Sequence, residues 1–219
     1  GFPNSTREIV AAMQSAPMPV AVYVTPAGAR AASAGTFIVY GADIAAMTPT
    51  TTIGAATPIN LFAGKGADEK ESDEDARPAQ DAAMAKVTND ILAYSRALAQ
   101  QSGRSESFIT KAVTEAKSIG AKEALAEGVI EIVAQDRQDL FVQLQGWVLK
   151  NGAKDGVLSF SADSVKRFEP TWRMQILSII CDPTVAYVLL LGGLYGILFE
   201  LYSPGALFPG VFGALCLIL

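Results

Sequence analysis

Apolar and polar positions follow two different periods along this chain. Residues 4–16 begin with a helix-capping pair, Ser5 and Glu8, and then place apolar residues along one face, which predicts an amphipathic helix. Residues 18–25, MPVAVYVT, are instead a short β-branched run between prolines, which predicts a buried strand. By the same criteria, further helices are predicted over 33–43, 78–103, 105–114, 121–128 and 136–146, and further strands over 44–48, 52–56 and 129–134.

The order of these elements indicates the fold class. Helices and strands follow one another in tight succession, which predicts an α/β protein with βαβ units around a mostly parallel sheet. Residues 26–32, PAGARAA, are predicted to form the turn between the first strand and the next helix. Residues 147–161 carry an Asn-Gly and an Asp-Gly pair between apolar stretches, and this pattern predicts a small β-hairpin.

The last part of the chain is apolar enough to enter a membrane. From Thr184 to Leu219 the only ionisable acid or base is Glu200. Residues 184–202 are about long enough to cross a bilayer as a helix, and residues 206–219 begin a second crossing. We therefore predict three parts: an α/β domain over 1–144, a hairpin and membrane-proximal stalk over 145–182, and a transmembrane region over 183–219. Glu200 lies near the end of the first span, which favours an interfacial carboxylate.

Composition excludes several classes of function. The chain has 219 residues, a net charge of −5 and no histidine. A Ser-His-Asp or Cys-His site and histidine-based metal binding are therefore excluded within this chain. Cys181 and Cys216 show no metal-ligand spacing, and we expect neither a metal nor a cofactor. A mildly acidic chain without a basic cluster also disfavours nucleic acid as a partner, and the acidic run over 67–76 predicts a solvated loop.

One stretch of small residues offers a candidate nucleophile. Residues 28–37, GARAASAGTF, place the hydroxyl of Ser33 between a strand and a helix, surrounded by Ala and Gly. Small residues let the backbone turn sharply and let a substrate approach, and the amide of Ala34 in the first helical turn is available to an oxyanion. The same residues also fit tight packing of a helix on a sheet, with a serine that has no catalytic role.

Without histidine, the base for Ser33 must be a lysine, a carboxylate or a terminal amine. A lysine used as a base near neutral pH needs its pKa lowered by about 3 units, or about 4 kcal/mol, which burial can supply. Lys86 lies in AAMAKVT among small and apolar neighbours, whereas the other lysines lie in acidic, surface-like or hairpin segments. The alternative is a lysine that extends its amine into water. Asp90, one turn later, would hold Lys86 charged if the two paired.

Three separate motifs resemble those of one protein family. They are the strand, turn and helix region over 19–59, the segment AKEALAEGVIEIVA over 121–134, and the membrane entry over 181–219, which begins with Cys-Asp-Pro. Together they resemble the long-form NfeD proteins, which are membrane-bound serine proteases related to signal peptide peptidase A and more distantly to Clp proteases and crotonases. The resemblance runs almost from end to end of the chain.

The resemblance implies a fold and a set of site residues. The fold would be a ClpP/crotonase-like core of ββα units, followed by the hairpin and C-terminal transmembrane helices. The nucleophile of the family falls on Ser33 and its lysine falls on Lys86 of KVTN. Gly1 corresponds to the second glycine of a pair that supplies an oxyanion amide, so the strands that precede this pair in the family lie outside the sequence. The acidic insertion over 67–76 lengthens the interval between Ser33 and Lys86 relative to some members.

The resemblance also implies a substrate and a location. The expected activity is that of a Ser-Lys endopeptidase that cuts hydrophobic segments, notably in stomatin-like membrane proteins. We further expect contact with membrane lipid and a homo-oligomer. Lys166, Arg167 and Arg173 precede the first span, and by charge alone they would place the protease domain in the cytoplasm, whereas the family implies the extracytoplasmic side.

Two other functions remain open at this point. The first is a non-catalytic protein that uses the same fold and spans to organise a stomatin- or flotillin-like partner. The second is a crotonase-like acyl-CoA enzyme, which the membrane spans and the lack of a basic cluster for the nucleotide disfavour.

Overall fold

The computed structural model describes residues 3–58, 77–149, 154, 156–160, 165–202 and 208–218. The chain divides into two compact units, Gly1–Ala162 and Asp163–Leu219. Gly1 and the predicted acidic loop over 67–76 lie outside the described residues. The three-part division predicted from the sequence stays a prediction.

The first unit is built on a parallel sheet of three strands, as the sequence predicted. The strands are β1 (Ala21–Val24), β3 (Ile44–Met47) and β6 (Ile132–Val133), in the order β1-β3-β6. All four residues of the central strand β3 are buried, as expected for a parallel strand covered on both faces. The first strand is shorter than the predicted 18–25, and Val24 is its one buried residue.

A second small sheet carries the residues around the candidate nucleophile. Its strands are β2 (Arg30–Ala32), β4 (Thr52–Gly54) and β5 (Ser118–Gly120); β2 and β4 are parallel, and β5 is antiparallel to β4. The prediction that residues 26–32 form only a turn is wrong, because β2 lies within them, and β5 was not predicted. Each of these strands has three residues, which is too short to show a period of two in the sequence.

The predicted helices of the first unit are confirmed. Six helices are described, and their bounds agree with the prediction to within a few residues: α1 (Pro3–Ser15), α2 (Ala34–Gly41), α3 (Arg77–Ser102), α4 (Glu106–Thr114), α5 (Ala121–Ala126) and α6 (Arg137–Leu144). Side chains cap two of them, because Ser105 accepts a hydrogen bond from the Phe108 amide and Asp136 accepts one from the Asp139 amide.

A buried arginine fixes the end of α2. The Arg104 guanidinium donates hydrogen bonds to the carbonyls of Val39, Tyr40 and Ala42 at the C-terminal end of the helix, where backbone donors become scarce. Its other nitrogens bind both carboxylate oxygens of Glu131 at 2.8 Å. Arg104 therefore joins the C-terminal end of α2 to the segment that leads into β6.

The predicted hairpin is present in the described residues and is attached to the sheet domain by a buried ion pair. The strands β7 (Val148–Leu149) and β8 (Gly156–Val157) pair antiparallel. Lys154 lies between them, with a side chain that is only 10% exposed, and its Nζ is 2.8 Å from a carboxylate oxygen of Asp43. Lys154 also donates to the Met13 carbonyl at the end of α1.

The second unit contains three described helices, α7 (Trp172–Ile180), α8 (Pro183–Tyr202) and α9 (Phe208–Ile218). Within α8, Thr184–Tyr202 is long and apolar enough to cross a membrane, and α9 is a shorter apolar helix. The two helices pack closely at Gly196, where an added Cβ would lie 2.8 Å from the Gly213 Cα. The Glu200 carboxylate accepts a hydrogen bond from the Gly210 amide at 3.4 Å. The sequence did not predict α7 as a helix.

Candidate active site

Ser33 occupies a sharp turn between β2 and α2. Its backbone has φ 53° and ψ −119°, a conformation that side chains with a Cβ rarely adopt, and its side chain is exposed. Strained residues of this kind persist only where the surrounding structure enforces them, and they are enriched at active sites. A strand, a strained serine and a helix in this order also form the nucleophile turn of many hydrolases.

Hydrogen bonds from two neighbouring strands enforce this turn. The Ser33 amide donates to the carbonyls of Gly54 and Ala55 at 3.3 and 3.2 Å. One turn into α2, the buried hydroxyl of Thr36 lies 2.9 Å from the carbonyl oxygens of both Ala31 and Gly54. Thr36 therefore connects the start of α2 to β2 and to the end of β4.

Gly54 is required for this arrangement. Its φ is 132°, and a Cβ at this position would lie 2.1 Å from the Lys117 carbonyl oxygen. The close approach lets the end of β4 lie against the residues that lead into β5, while the Gly54 carbonyl remains available to Ser33 and Thr36. A larger residue would displace the strand that supports Ser33.

The first turn of α2 presents the polar groups that an oxyanion needs. Among the described residues, neither the amides of Ala34 and Gly35 nor the Ser33 hydroxyl has a hydrogen-bond partner. Amides at a helix N-terminus carry partial positive charge and stabilise a developing negative charge. Ala34 thus lies where the sequence predicted an oxyanion donor, whereas the predicted second donor, Gly1, is outside the described residues.

Lys86 lies in α3 with an exposed side chain, and no ion pair is formed by it within the described part of the chain. The pairing of Lys86 with Asp90 that the sequence left open is not found. Asp90 instead pairs with Arg7 of α1, whose guanidinium also lies 4.7 Å from the centre of the Tyr94 ring. No carboxylate therefore holds Lys86, but the described residues do not bury it either.

The helices that carry Ser33 and Lys86 pack against one another. The Phe37 and Tyr94 rings are 6.3 Å apart between centroids, and burial raises the pKa of Tyr94. Ser33 lies four residues before Phe37, and Lys86 lies eight residues before Tyr94, so both precede this contact in their helices. Ser33 and Lys86 make no hydrogen bond with each other, and the dyad stays a prediction.

Sequence reasoning missed the residues that support the turn. Thr36 is the polar side chain within the apolar stretch AGTFIVYG, and that contrast was the signal for a buried hydroxyl with a specific partner. Gly54 gave no comparable signal, because its close approach to Lys117 depends on chain segments that are distant in sequence. Among the residues that the structure describes, no group of three or more His, Cys, Asp or Glu side chains could hold a metal ion.

Comparisons with known proteins agree with this geometry. The NfeD integral membrane domain profile matches residues 184–219. The membrane-bound protease PH1510 of Pyrococcus horikoshii is 36% identical over 222 residues, which cover all of this chain and 47% of that protein. The chain thus spans about half the length of this relative.

Solved structures extend the agreement to the fold. A serine-to-alanine mutant of the 1510-N membrane-bound stomatin-specific protease is 34% identical, with a TM-score of 0.66 over 78% of each chain. A lysine-to-alanine mutant of the same protease, in complex with a substrate peptide, is 35% identical with a TM-score of 0.66 over 82% of this chain and 78% of that one. The predicted ClpP/crotonase-like α/β fold is confirmed.

Proposed function

Because this chain belongs to the long-form NfeD family of membrane-bound serine proteases, we propose that it is a membrane-anchored serine endopeptidase with Ser33 as its nucleophile and Lys86 as its base. The conformation of Ser33 is the observation that carries this proposal. Two strands and a helix hold a non-glycine residue at positive φ, its hydroxyl is exposed, and the amides of Ala34 and Gly35 that follow it have no partner among the described residues. A serine in a merely structural turn gains nothing from this strain.

The proposed reaction proceeds through an acyl-enzyme. Ser33 Oγ attacks the carbonyl carbon of the scissile peptide while the neutral amine of Lys86 accepts the hydroxyl proton. The oxyanion of the tetrahedral intermediate accepts a hydrogen bond from Ala34, with Gly1 as the proposed second donor. Lys86 then returns the proton to the leaving amine. A water molecule, deprotonated by Lys86, hydrolyses the ester and restores the Ser33 hydroxyl.

The surroundings of Lys86 suggest when it becomes a base. Its side chain is exposed among the described residues. Asp90 pairs with Arg7, and among the described residues no carboxylate pairs with Lys86. An apolar peptide that covers the amine would remove its water and favour the neutral form. We therefore infer that Lys86 acts as a base when bound substrate covers its amine.

The proposed substrates are hydrophobic segments of membrane proteins, in particular of stomatin homologues. The support comes from the Pyrococcus protease, which is described as specific for a stomatin homolog. The transmembrane helix α8 places the chain at a membrane, where such segments occur. We further propose a multi-pass protein with an extracytoplasmic protease domain that forms a homo-oligomer, as the family resemblance implies.

Peptide cleavage by the complete protein tests the catalytic assignment. A peptide from the hydrophobic C-terminal region of a stomatin homologue serves as substrate, and a fluorophosphonate probe labels the nucleophile. Ser33→Ala and Lys86→Ala should each abolish cleavage, and Ser33→Ala should abolish labelling. Lys111→Ala is the matched control, because Lys111 is also an exposed lysine on a helix, α4, and should leave both signals unchanged.

Two results would contradict the proposal. Cleavage that survives in both Ser33→Ala and Lys86→Ala rules out the dyad. The second result has two parts: the probe does not label Ser33, and Ser33→Ala binds the stomatin-like partner as well as the unsubstituted protein does. Together they would indicate the non-catalytic assembly function instead.

A further inference from the structure

Most of the apolar side chains of the helix α7 (Trp172–Ile180) are exposed. Six of its nine residues are apolar, yet none is buried by the described part of the chain. Trp172 is 67% exposed and Leu177 63%. A helix with this composition normally packs its apolar side chains against another apolar surface. The structure therefore raises the question of what covers α7.

Four of the six apolar residues of α7 lie on one side, whereas Leu177 and Met174 lie outside this arc. Trp172, Ile176, Ile179 and Ile180 follow the spacing i, i+4, i+7 and i+8, which places them within an arc of about 100° on a helix. Ser178 projects from the opposite side. Gln175 and Ser178 give α7 a narrow polar side, whereas α8 is apolar around nearly all of its circumference.

The length and position of α7 indicate its partner. Nine residues form a helix of about 14 Å, which is too short for the hydrocarbon core of about 30 Å. Only Cys181 and Asp182 separate α7 from α8, and the Asp182 carboxylate accepts a hydrogen bond from the Thr184 amide at 2.8 Å. This bond lowers the pKa of Asp182, so the junction carries a charge that must remain in contact with water or lipid headgroups.

The charges around α7 are those of a membrane-surface segment. Lys166, Arg167 and Arg173 are basic and exposed, against a single acidic residue among the described positions 165–180, Glu169, which pairs with Arg167 at 3.2 Å. Basic side chains beside an apolar helix face attract anionic headgroups. Trp172 stands at the start of the helix, and tryptophan is enriched at membrane–water boundaries.

We propose that α7 lies in the plane of the membrane surface, with Trp172, Ile176 and Ile179 in contact with lipid acyl chains, and forms a second bilayer contact beside the α8 span. Because α7 leads directly into α8, the lipid bilayer is the apolar surface nearest to it in the chain. The acyl chains would contact the apolar side chains of α7, and anionic headgroups would contact the basic ones. This inference depends on the membrane anchor and not on the protease assignment. It goes beyond the matched membrane domain, which begins at residue 184.

Spin-label accessibility measures the two sides of α7 separately. The complete protein is reconstituted into vesicles of phosphatidylcholine and phosphatidylglycerol, with Cys181 and Cys216 replaced by alanine. Nitroxide labels are attached at Ile176→Cys or at Ser178→Cys, which lie on opposite sides of α7. Collisions with oxygen, which concentrates in lipid, are compared with collisions with a nickel complex, which stays in water. We expect the oxygen-to-nickel ratio to be several-fold higher at position 176 than at position 178.

Every other pattern overturns the inference. A low ratio at both positions places α7 in water, and a high ratio at both positions places it within the bilayer core. Low access to both reagents at position 176 shows that protein covers the apolar face, either another part of this chain or a second copy. As an independent check in the Trp147→Phe background, bromine-substituted lipid should quench the fluorescence of Trp172, and unchanged emission contradicts a lipid contact.

Discussion

The strain at Ser33 predicts that the nucleophile is retained at a cost in stability. The test compares Ser33→Gly with Ser33→Ala, because both remove the hydroxyl but only glycine tolerates φ 53° and ψ −119° without steric conflict. The hydroxyl makes no hydrogen bond with the described residues, so its loss alone should change the free energy of unfolding by less than about 0.5 kcal/mol.

The expected difference follows from two opposing effects. A non-glycine residue in a sparsely populated backbone region costs about 1–3 kcal/mol. Glycine removes that cost but loses about 0.5–1 kcal/mol more backbone entropy on folding. The glycine variant should therefore be about 0.5–2 kcal/mol more stable than the alanine variant. For a unit of this size, this difference raises Tm by about 1–8 °C.

Thermal unfolding and peptide cleavage together provide the assay. Both variants should lack cleavage activity, and Ser33→Ala should unfold close to the unsubstituted protein, with Ser33→Gly above both. A glycine variant that unfolds at or below the alanine variant would refute the claim that the surrounding strands hold Ser33 under strain. Activity in either variant would refute its role as nucleophile.

The other predictions concern the residues that support the turn and the core. Thr36→Val should lower stability by about 1–2 kcal/mol and reduce kcat, because buried carbonyl oxygens lose their donor, whereas Thr36→Ser should retain most of both. Gly54→Ala should cost about 3 kcal/mol or more in thermal unfolding, since its Cβ would overlap the Lys117 carbonyl. Arg104→Met should destabilise by about 3–5 kcal/mol in denaturant unfolding, and adding Glu131→Met should recover part of the loss. Hydrogen bonds from the Gln135 amide and the Gln143 side chain lower the pKa of Asp139. The contribution of Asp139 to the free energy of unfolding is therefore complete above the ordinary aspartate pKa of about 3.9 and is lost as the pH falls through the lowered value. In unfolding curves recorded over a series of pH values, Asp139→Asn should lack this loss at acid pH.

The parts of the fold that sequence reasoning predicted share one property. Each long helix, such as α3, carries a repeated apolar spacing that local residues fully specify, and the hairpin turn carries its own glycine signals. The strands β2 and β5 carry no such pattern, because three residues cannot establish a period. They exist through pairing with β4, which lies far from β5 in sequence. The local spacing of apolar residues therefore predicts only those helices and strands that are long enough to repeat it.

Burial of the lysines shows why the site was harder to predict than the fold. Lys86 has small and apolar sequence neighbours but is exposed, because adjacent residues on a helix point in different directions. Lys154 lies among glycine and charged residues but is buried, because Asp43 and the end of α1 come from more than a hundred residues away. The identity of sequence neighbours therefore does not indicate the dielectric environment of a side chain.

These two lysines also constrain how the proposed enzyme obtains its base. Lys154 is buried, but the carboxylate of Asp43 holds its ammonium, which makes it a structural ion pair. Lys86 has no such partner among the described residues, but its side chain is exposed. Within the described part of the chain, neither lysine is both unpaired and desolvated, so in the proposed mechanism the bound substrate supplies the missing desolvation. An apolar peptide can supply it, whereas a polar peptide that binds equally well cannot. If the proposed mechanism holds, a preference for hydrophobic substrates should therefore raise kcat more than it lowers KM, whereas a simple preference in binding would act on KM.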